Sequence, residues 1–403
     1  MQAAENGCNV KLVSSLPSER AQSVMAEGGI NAALNTKDEN DSPEEHFTDT
    51  IKAACGLADP NAVWGMTQAA PELVHWLLKL GVKFNMSGYD DVDLRNFGGQ
   101  KKKRTAFAQS DTGKQIMTAM IDAVRRKEAS GMVERFSHHS FLTLRLCGNI
   151  CCGCVIRDEY SQETVELSGD AVIVATGGMH GLFGNTTGSL SNTGEVTAEL
   201  FRLGVPLANG EMIQYHPTTV KCGGKRMLIS EAARGEGGRL FAMKDGKQWY
   251  FMEEKYPELG NLMPRDITAR EIWKVSHESE VFLDMTEISE EIISNKLSGL
   301  ADDCMTYLHK DIRKEPVSVL PGIHYFMGGI LVDEQHRTPI QNLYAAGECC
   351  AQYHGANRLG GNSLLGALYG GRVAAKSACE QADVVDLSCA TQIDFPPASQ
   401  ISE

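Results

Sequence analysis

The stretches HYFMGG at residues 324–329 and HGANRLGGNSL at residues 354–364 decide how this sequence is interpreted. Each begins with a histidine and contains a glycine pair, and the second adds Arg358 and the start of a helix. Between them, LYAAGE at residues 343–348 has the pattern of an apolar strand that ends at a glycine and a carboxylate, Glu348. Polar and charged side chains gathered around glycine turns are typical of a ligand-binding site.

The length and charge of the chain limit what it can be. A chain of 403 residues exceeds what one hydrophobic core usually serves, so two domains, or one domain with a large insertion, are expected. The formal charge of -14 argues against a nucleic-acid surface and means that an anionic substrate needs a local positive pocket. The basic run at residues 101–104 is interpreted as a solvated face, with steering of an anion as the alternative.

Targeting signals are not apparent in the sequence. No apolar run approaches the ~20 residues of a transmembrane helix. The first residues, MQAAEN, do not have the pattern of a signal peptide. We therefore predict a cytoplasmic protein without a transmembrane segment.

The chain has 12 cysteines, which in a chain of this length do not indicate a disulfide scaffold. One cluster, Cys147, Cys151, Cys152 and Cys154, has spacing that could suit metal ligands. A Gly-Asn turn joins the two apolar runs of this segment, and a β-hairpin explains the pattern well. A structural role is favoured, with a metal site as the alternative.

The chain opens with part of a dinucleotide-binding pattern. Residues 2–6 are typical of a last helical turn, and residues 8–13 of a strand that ends at Ser14 and Ser15. In such a unit this strand would be the second, and a Gly-x-Gly-x-x-Gly turn after the first strand would hold a pyrophosphate. RGEGG at residues 234–238 has the wrong spacing for that turn. We expect the first strand and phosphate loop to lie outside this sequence, to come from another chain, or to be lost.

The sequence predicts one buried strand and two helical regions with defined bounds. AVIVATGG at residues 171–178 predicts a buried parallel strand followed by a glycine turn. Residues 49–80 have a helical pattern, in which Asp59-Pro60 starts one segment and Gly81 ends another. An apolar helix is predicted over residues 364–379, and its first turn would offer free backbone amides and the positive end of the helix dipole.

These segments together resemble the succinate dehydrogenase and fumarate reductase flavoprotein family, which also includes L-aspartate oxidase. The resemblance covers about residues 2–384. It implies an α/β fold in which a Rossmann-like FAD-binding domain, split over residues 1–215 and 321–384, encloses a capping domain. That α+β capping domain, at residues 216–320, is expected to move and gate the cleft. Residues 385–403 are expected to be a tail or linker.

The resemblance implies FAD as the cofactor. QSVMAEGGIN at residues 22–31 is similar to the family's flavin-contacting loop, although a plain turn would also explain the paired glycines. Many relatives in membrane complexes carry a histidine bonded to the flavin at the position of Gln22, so FAD is predicted to be noncovalent here. Glu195 stands where relatives place an aspartate. The implied cofactor contacts are Ser14, Ser15, Gln22, Ser23, Ala26, Glu27, Gly28, Gly29, Ala175, Thr176, Gly177, Gly178, Glu195, Glu348, Asn362, Ser363 and Leu364.

The resemblance also implies a substrate site without metal. Its predicted members are the substrate-binding Phe97, His216, Ser230, His324 and Arg358, and the catalytic Arg265, Glu231 and Arg234. An arginine can bind one carboxylate of a dicarboxylate through two parallel hydrogen bonds. By resemblance, Arg265 delivers a proton to a substrate carbon. Because free guanidinium has a pKa above ~12, this role would need reprotonation through Glu231 and Arg234. Alternatively, Arg265 only neutralises charge.

The function implied by the resemblance is FAD-dependent reduction of fumarate to succinate, with the reverse oxidation also open. L-aspartate oxidase is an alternative, but that subfamily places an acidic residue where this chain has Phe97, which cannot pair with a substrate ammonium. The remaining alternatives are reduction of another unsaturated acid and a non-enzymatic remnant that holds no flavin. Electrons are expected to come from a partner such as an iron–sulfur subunit or from a soluble reductant. Such a partner would place the protein at the inner membrane.

Overall fold

The computed structural model describes residues 1–382, and the expected tail lies outside the described residues. The helices are α1 Gln2–Glu5, α2 Pro43–Ala54, α3 Pro60–Leu80, α4 Thr112–Ala129, α5 Glu195–Arg202, α6 Glu231–Gly235, α7 Phe251–Lys255, α8 Arg265–Val275, α9 Glu290–Lys296, α10 Ser298–Asp303 and α11 Asn362–Gln381. A π-helical turn, Cys304–Leu308, continues α10. None of the described helices combines the length and apolarity needed to cross a membrane.

The strands are mostly short and belong to several small sheets. They are β1 Val10–Ser14, β2 Ile30–Asn31, β3 Leu94–Arg95, β4 Thr105–Ala106, β5 Val133–Ser137, β6 His139–Cys147, β7 Ile150–Asp158, β8 Thr164–Ser168, β9 Val172–Val174, β10 Leu207–Ala208, β11 Ile213–Cys222, β12 Lys225–Leu228, β13 Arg239–Lys244, β14 Lys247–Trp249, β15 Val281–Asp284, β16 Val317–Ser318, β17 Leu320–Phe326, β18 Gly329–Leu331, β19 Leu343–Ala345 and β20 Cys350–Ala351.

The parallel pairs frame the region where a cofactor is expected. β1 pairs in parallel with β5, and β9 pairs in parallel with β19, which confirms the predicted parallel strand. Among residues 1–382, β1 and β9 each have one edge without a strand partner, and both border the same cavity. The expectation of full burial was wrong for Ile173 of β9, which is 36% exposed because it faces this opening.

Helix α3 shows why the sequence signals for helix ends were reliable. The Asp59 carboxylate accepts hydrogen bonds from the backbone N–H groups of Asn61 and Ala62, at 2.8 and 3.1 Å. Pro60 occupies the first helical position, where a missing N–H costs nothing. Gly81 ends the helix with φ of +100°, a conformation that glycine adopts without strain.

The cysteine-rich segment forms the predicted hairpin of β6 and β7, which turns at Gly148. Burial raises the pKa of the Cys151 thiol to about 12 and that of Cys154 to about 11, so both stay protonated at neutral pH. Among residues 1–382 no group of three or more histidines, cysteines or carboxylates is arranged to hold a metal ion. A separate disulfide joins Cys8, before β1, to Cys379 in the last turn of α11. Cys151 and Cys154 therefore have the environment of packing residues.

The hydrophobic side chains gather in separate clusters. One cluster consists of residues between Ile229 and Val319, with Phe97 as the exception. Another combines α3 and neighbouring segments with Leu364 and Leu365 at the start of α11. The first cluster lies almost wholly inside residues 216–320, as a capping domain would require. The predicted domain bounds themselves stay a prediction.

Candidate active site

A cavity of about 2050 Å³ extends from the carboxyl ends of β1 and β9 to the start of α8. Twenty-three of the predicted site residues line it, from Ser14 at one end of the sequence to Leu364 at the other. The two exceptions are Arg234 and Asn362. Arg234 lies behind Glu231, and the Asn362 side chain belongs to a buried polar network. The fold therefore brings the predicted cofactor and substrate residues to one opening.

A buried chain of charged side chains lies at one end of the cavity. The Glu231 carboxylate accepts from Arg265 Nε at 2.8 Å and lies 2.7 Å from Arg265 Nη2. Its second oxygen lies 3.3 Å from Arg234 Nη2. Burial opposes the charge on Glu231, but the two arginines outweigh it and lower the pKa of its carboxyl. Glu231 is therefore an anion held between two cations, with only Arg265 and Glu231 reaching the cavity.

Two glycines leave the space that this arrangement needs. The backbone N–H of Gly98 donates to Glu231 at 3.0 Å. A Cβ added at Gly98 would lie 2.6 Å from the same carboxylate. A Cβ added at Gly360 would lie 2.7 Å from the Phe97 ring, 2.8 Å from Glu231 and 2.9 Å from Arg265. These two glycines permit the backbone to approach the charged side chains closely.

We expect Gly360→Ala to lower turnover by roughly tenfold, because a reactive group displaced by a fraction of an ångström loses much of its effect. Gly360 lacks a positive φ, so alanine adds bulk without backbone strain. Gly210→Ala is the matched control, since a Cβ there meets nothing within 4 Å and the residue does not line the cavity. Turnover and flavin content would be measured for both. Equal turnover in the two variants would contradict the prediction.

Gln214 was not singled out from the sequence, yet it joins the two arginines that face the cavity. Its Oε1 accepts from Arg265 Nη1 at 3.0 Å and from Arg358 Nη2 at 2.9 Å. Its Nε2 donates to the backbone carbonyl of Arg358 at 2.7 Å. The signal that could have found it is its position two residues before His216 on the same strand, β11, where both side chains share a face. Gln214 fixes the separation of the two guanidinium groups.

Arg358 is a poorly compensated cation. Burial first, and Arg265 next, lower the pKa of its guanidinium to about 9. Its carbon atom lies 4.2 Å from the centre of the Tyr325 ring, a cation–π contact. Its Nε has no hydrogen-bond partner within residues 1–382. An anion that enters the cavity would supply the missing countercharge.

His216 and His324 lie edge to face with ring centres 5.0 Å apart. Burial, followed by the charge of Arg265, lowers the pKa of both far below the ordinary histidine value, so both rings are neutral. The Nδ1 atom of His324 lies 2.7 Å from Thr187 Oγ1, and that of His216 lies 3.1 Å from the Thr218 carbonyl. Each ring therefore has its Nε2 atom left for a ligand in the cavity.

Ser230 and Phe97 complete the predicted substrate set. Ser230 caps α6, where its hydroxyl accepts from the N–H of Ala232 at 3.4 Å. Phe97 is buried, and a Cβ added at Gly28 would lie 2.9 Å from its ring. Phe97 therefore joins the glycine pair of the predicted cofactor loop to the charged end of the cavity, and its ring offers no counterion to an ammonium.

Glu348 also lines the cavity, and it has a partner that the sequence did not reveal. Its Oε1 lies 3.0 Å from His180 Nε2 and accepts from the Phe326 N–H at 3.0 Å. His180 Nδ1 is in turn 2.7 Å from Thr186 Oγ1. His180 and Thr186 thus hold Glu348, whose remaining oxygen can accept from ligand hydroxyls.

The start of α11 is fixed by a buried polar network. Asn362 Oδ1 accepts from Asn31 Nδ2 at 2.7 Å and lies 2.9 Å from His46 Nε2. Its Nδ2 donates to Thr50 Oγ1 at 3.1 Å. Burial lowers the pKa of His46 to about 3, so the ring is neutral and its Nε2–H donates to Asn362. Helix α11 begins two residues earlier than predicted, and the free amides of its first turn face an opening lined by Ser363 and Leu364.

Glu27 is a carboxyl that holds its proton at neutral pH. Burial, and then the nearby Asp303 and Asp111, raise its pKa to about 8. Its Oε2 has no hydrogen-bond partner within residues 1–382, and the residue lines the cavity. Below about pH 8 this group can donate a hydrogen bond to a bound molecule.

Gln22 also lines the cavity, where its Nε2 lies 3.5 Å from the Thr187 carbonyl. Because an amide cannot form a histidyl bond to the flavin, we expect FAD to be released by acid. Precipitation with trichloroacetic acid should leave all of the yellow colour in the supernatant. Flavin that stays with the precipitated protein would contradict this prediction.

Comparisons with known proteins agree with this geometry. Residues 1–364 match the family described as FAD binding domain. The chain is 43% identical over 397 residues to the succinate dehydrogenase flavoprotein subunit of Bacillus subtilis, covering 96% of this chain and 68% of that protein. The chain belongs to the succinate dehydrogenase and fumarate reductase flavoprotein family. A solved E. coli quinol fumarate reductase mutant is similar with a TM-score of 0.88 and 29% identity, covering 96% of this chain and 70% of that one.

The same family includes a Nostoc L-aspartate oxidase, which is 35% identical over 351 residues, covering 84% of this chain and 58% of that protein. The chain thus spans roughly three fifths to two thirds of the length of these relatives. The predicted family, the α/β FAD-binding fold and FAD as cofactor are confirmed. The residues fit a flavin, since Glu348 and the first turn of α11 meet at the cavity.

Proposed function

We propose that this protein reduces fumarate to succinate with FAD, and that Arg265 supplies the proton. The observation that carries the proposal is the buried Arg265–Glu231–Arg234 chain, which ends at the same cavity as Arg358 and the two neutral histidines. Bound FAD supplies the hydride. The chain's own residues must then bind a dicarboxylate, exclude water and deliver one proton.

The charges around the cavity favour an anionic ligand. The protein is strongly acidic, yet Arg265 and Arg358 border the cavity, and within residues 1–382 no carboxylate forms a salt bridge with Arg358. A dicarboxylate would meet Arg358 through one carboxylate in a two-bond arrangement. The neutral His324 ring can donate through Nε2 without adding charge when its Nδ1 accepts from Thr187 Oγ1. Such a pocket favours a small dianion over a neutral ligand.

The catalytic part follows from where charge develops. Hydride addition beside a carboxylate builds enolate-like charge on that carboxylate, so fixed donors stabilise the transition state more than the ground state. Arg265 then gives a proton to the neighbouring carbon. Glu231, held 2.7 Å from Arg265 Nη2, can pass to Arg265 a proton that it takes from Arg234, which lies 3.3 Å from its other oxygen. This immediate return answers the objection that a guanidinium does not stay deprotonated.

We also propose that the electrons come from another protein or a small reductant. We expect an iron–sulfur partner or a soluble reductant to reduce the flavin, with peripheral attachment to the inner membrane through such a partner. The noncovalent flavin expected from Gln22 would be a stronger reductant than a covalent one. Fumarate reduction is therefore expected to outrun succinate oxidation, which can be checked on one preparation with reduced viologen and with phenazine.

The test is anaerobic turnover with reduced viologen as donor. Fumarate, iminoaspartate and urocanate would be compared as oxidants on protein whose flavin content is known from its absorbance spectrum. The proposal expects fumarate to be the preferred oxidant by a wide margin. Preference for iminoaspartate would favour an L-aspartate oxidase, preference for urocanate another unsaturated acid, and a spectrum without flavin a remnant without enzymatic activity.

A further inference from the structure

A short loop behind the catalytic arginines makes three contacts with the site. The loop, residues 260–264, leads directly into α8 and so places Arg265 at the first position of that helix. The Leu262 carbonyl accepts from the N–H of Gly99 at 3.3 Å. The Asn261 carbonyl accepts from Arg234 Nη1 at 2.6 Å. The loop therefore touches both ends of the charged chain and the glycine pair that binds Glu231.

The side chain of Asn261 holds this loop from two sides. Its Oδ1 accepts from the N–H of Leu240, in β13, at 3.0 Å. Its Nδ2 donates to Glu253 Oε1 at 3.0 Å. Glu253, in α7, is itself fixed by Arg239 through two hydrogen bonds of 2.8 and 2.6 Å. Asn261 thus connects a partly exposed ion pair to the backbone beside the buried Arg234.

Arg234 depends on this loop because it is wholly buried. Its side chain has no exposure, and burial lowers the pKa of its guanidinium. Within residues 1–382 its contacts are the Glu231 carboxylate and the Asn261 carbonyl, and its Nε has no partner. Moving the Asn261 carbonyl would leave the cation without its short neutral contact, and Arg234 would then shift away from Glu231.

We infer that Asn261 is a positioning residue for proton delivery, which holds Arg234 against Glu231 by anchoring the 260–264 loop to Leu240 and Glu253. This inference rests on the proposed function, because it assigns Asn261 to the relay that serves Arg265. Asn261 does not border the cavity, and it acts through the loop whose carbonyl accepts from Arg234. Glu253 is an anchor in this arrangement. It is not a step of the proton route, since the Asn261 peptide carbonyl lies between Glu253 and Arg234 and passes no proton.

The experiment is Asn261→Ala, assayed with fumarate and reduced viologen on flavin-loaded protein across a range of pH. We expect kcat to fall by about tenfold while KM changes little, because the displaced group acts in the transition state only. Arg234 lowers the pKa of Glu231, so a shift of Arg234 away from Glu231 raises the pKa of Glu231. The acidic limb of the kcat profile should therefore move to higher pH.

Asn149→Ala is the control, since the Asn149 side chain donates one hydrogen bond, to the Pro339 carbonyl at 3.0 Å, and does not border the cavity. It should leave kcat and its pH profile unchanged. Glu253→Gln keeps an acceptor for Asn261 and should behave like the wild type. Glu253→Ala removes the anchor and should shift the profile in the same direction as Asn261→Ala.

The outcomes separate the possible failures. An active wild type with an unchanged kcat and pH profile in Asn261→Ala overturns the inference alone. If Asn261→Ala does not fold, an unchanged profile in Glu253→Ala overturns it. A lowered kcat in Glu253→Gln assigns Glu253 to the proton route and contradicts a positioning role. A wild type that holds flavin but does not reduce fumarate overturns the proposed function and this inference with it.

Discussion

Arg265→Gln is expected to lower fumarate turnover by about 10²-fold or more, because a positioned proton donor contributes at least that much to the rate. Glutamine can still donate to Glu231 and Gln214, so the cavity should keep its shape. Flavin occupancy should match the wild type, and succinate should still bind. The measurement is anaerobic turnover with reduced viologen beside the flavin absorbance of the same sample.

Arg202→Gln provides the control for this substitution. Arg202 is exposed and, like Arg265, is bound to one carboxylate, Glu199 at 2.7 Å. Its replacement should leave turnover unchanged. If Arg265→Gln kept more than about a tenth of the wild-type rate, Arg265 would be a charge-neutralising residue, because general acid catalysis is worth more than that.

Arg358→Ala is expected to weaken succinate binding by roughly 10²-fold, since removing one partner of a buried charge pair costs about 2–5 kcal/mol. The structure gives the reason: Arg358 is buried beside a second cation, and no carboxylate among residues 1–382 forms a salt bridge with it. Arg358→Lys should recover only part of the affinity, because lysine keeps the charge but loses the planar fork.

The affinity can be read from the change in the flavin spectrum on titration with succinate. Arg202→Ala is the control, since the Arg202 guanidinium is exposed and the residue is not among the predicted site residues. Binding by Arg358→Ala that equals the wild type would remove Arg358 from the substrate site. A loss confined to kcat, with binding intact, would assign it to the transition state.

The elements with strong local signals were predicted well. Helix α3 begins and ends where Pro60 and Gly81 stand, because a cap, a proline and a left-handed glycine act within one turn. The β6–β7 hairpin and the parallel β9 were likewise readable from turn residues and apolar runs. The burial of β9 could not be predicted from its sequence, because burial depends on which strands lie beside it.

The site divides in the same way. Arg265, Arg358 and the two histidines were predicted because their order in the sequence resembles that of a family, and their roles stay a prediction. The contacts of Gln214, His180 and Asn261 were not predicted, because an amide or a histidine acquires its partners only from what lies opposite it. Gln214 lies between two arginines 51 and 144 residues further along the chain, and His180 meets Glu348 across 168 residues.

By itself, the sequence determined the family, the cofactor, and the helices and hairpin whose ends carry their own turn and capping chemistry. Only the tertiary structure decided that Glu231 is an anion between two buried cations and that His216 and His324 are neutral. Protonation depends on burial and on the charges within a few ångströms. Those distances are set by packing between distant segments, which no local pattern of residues records.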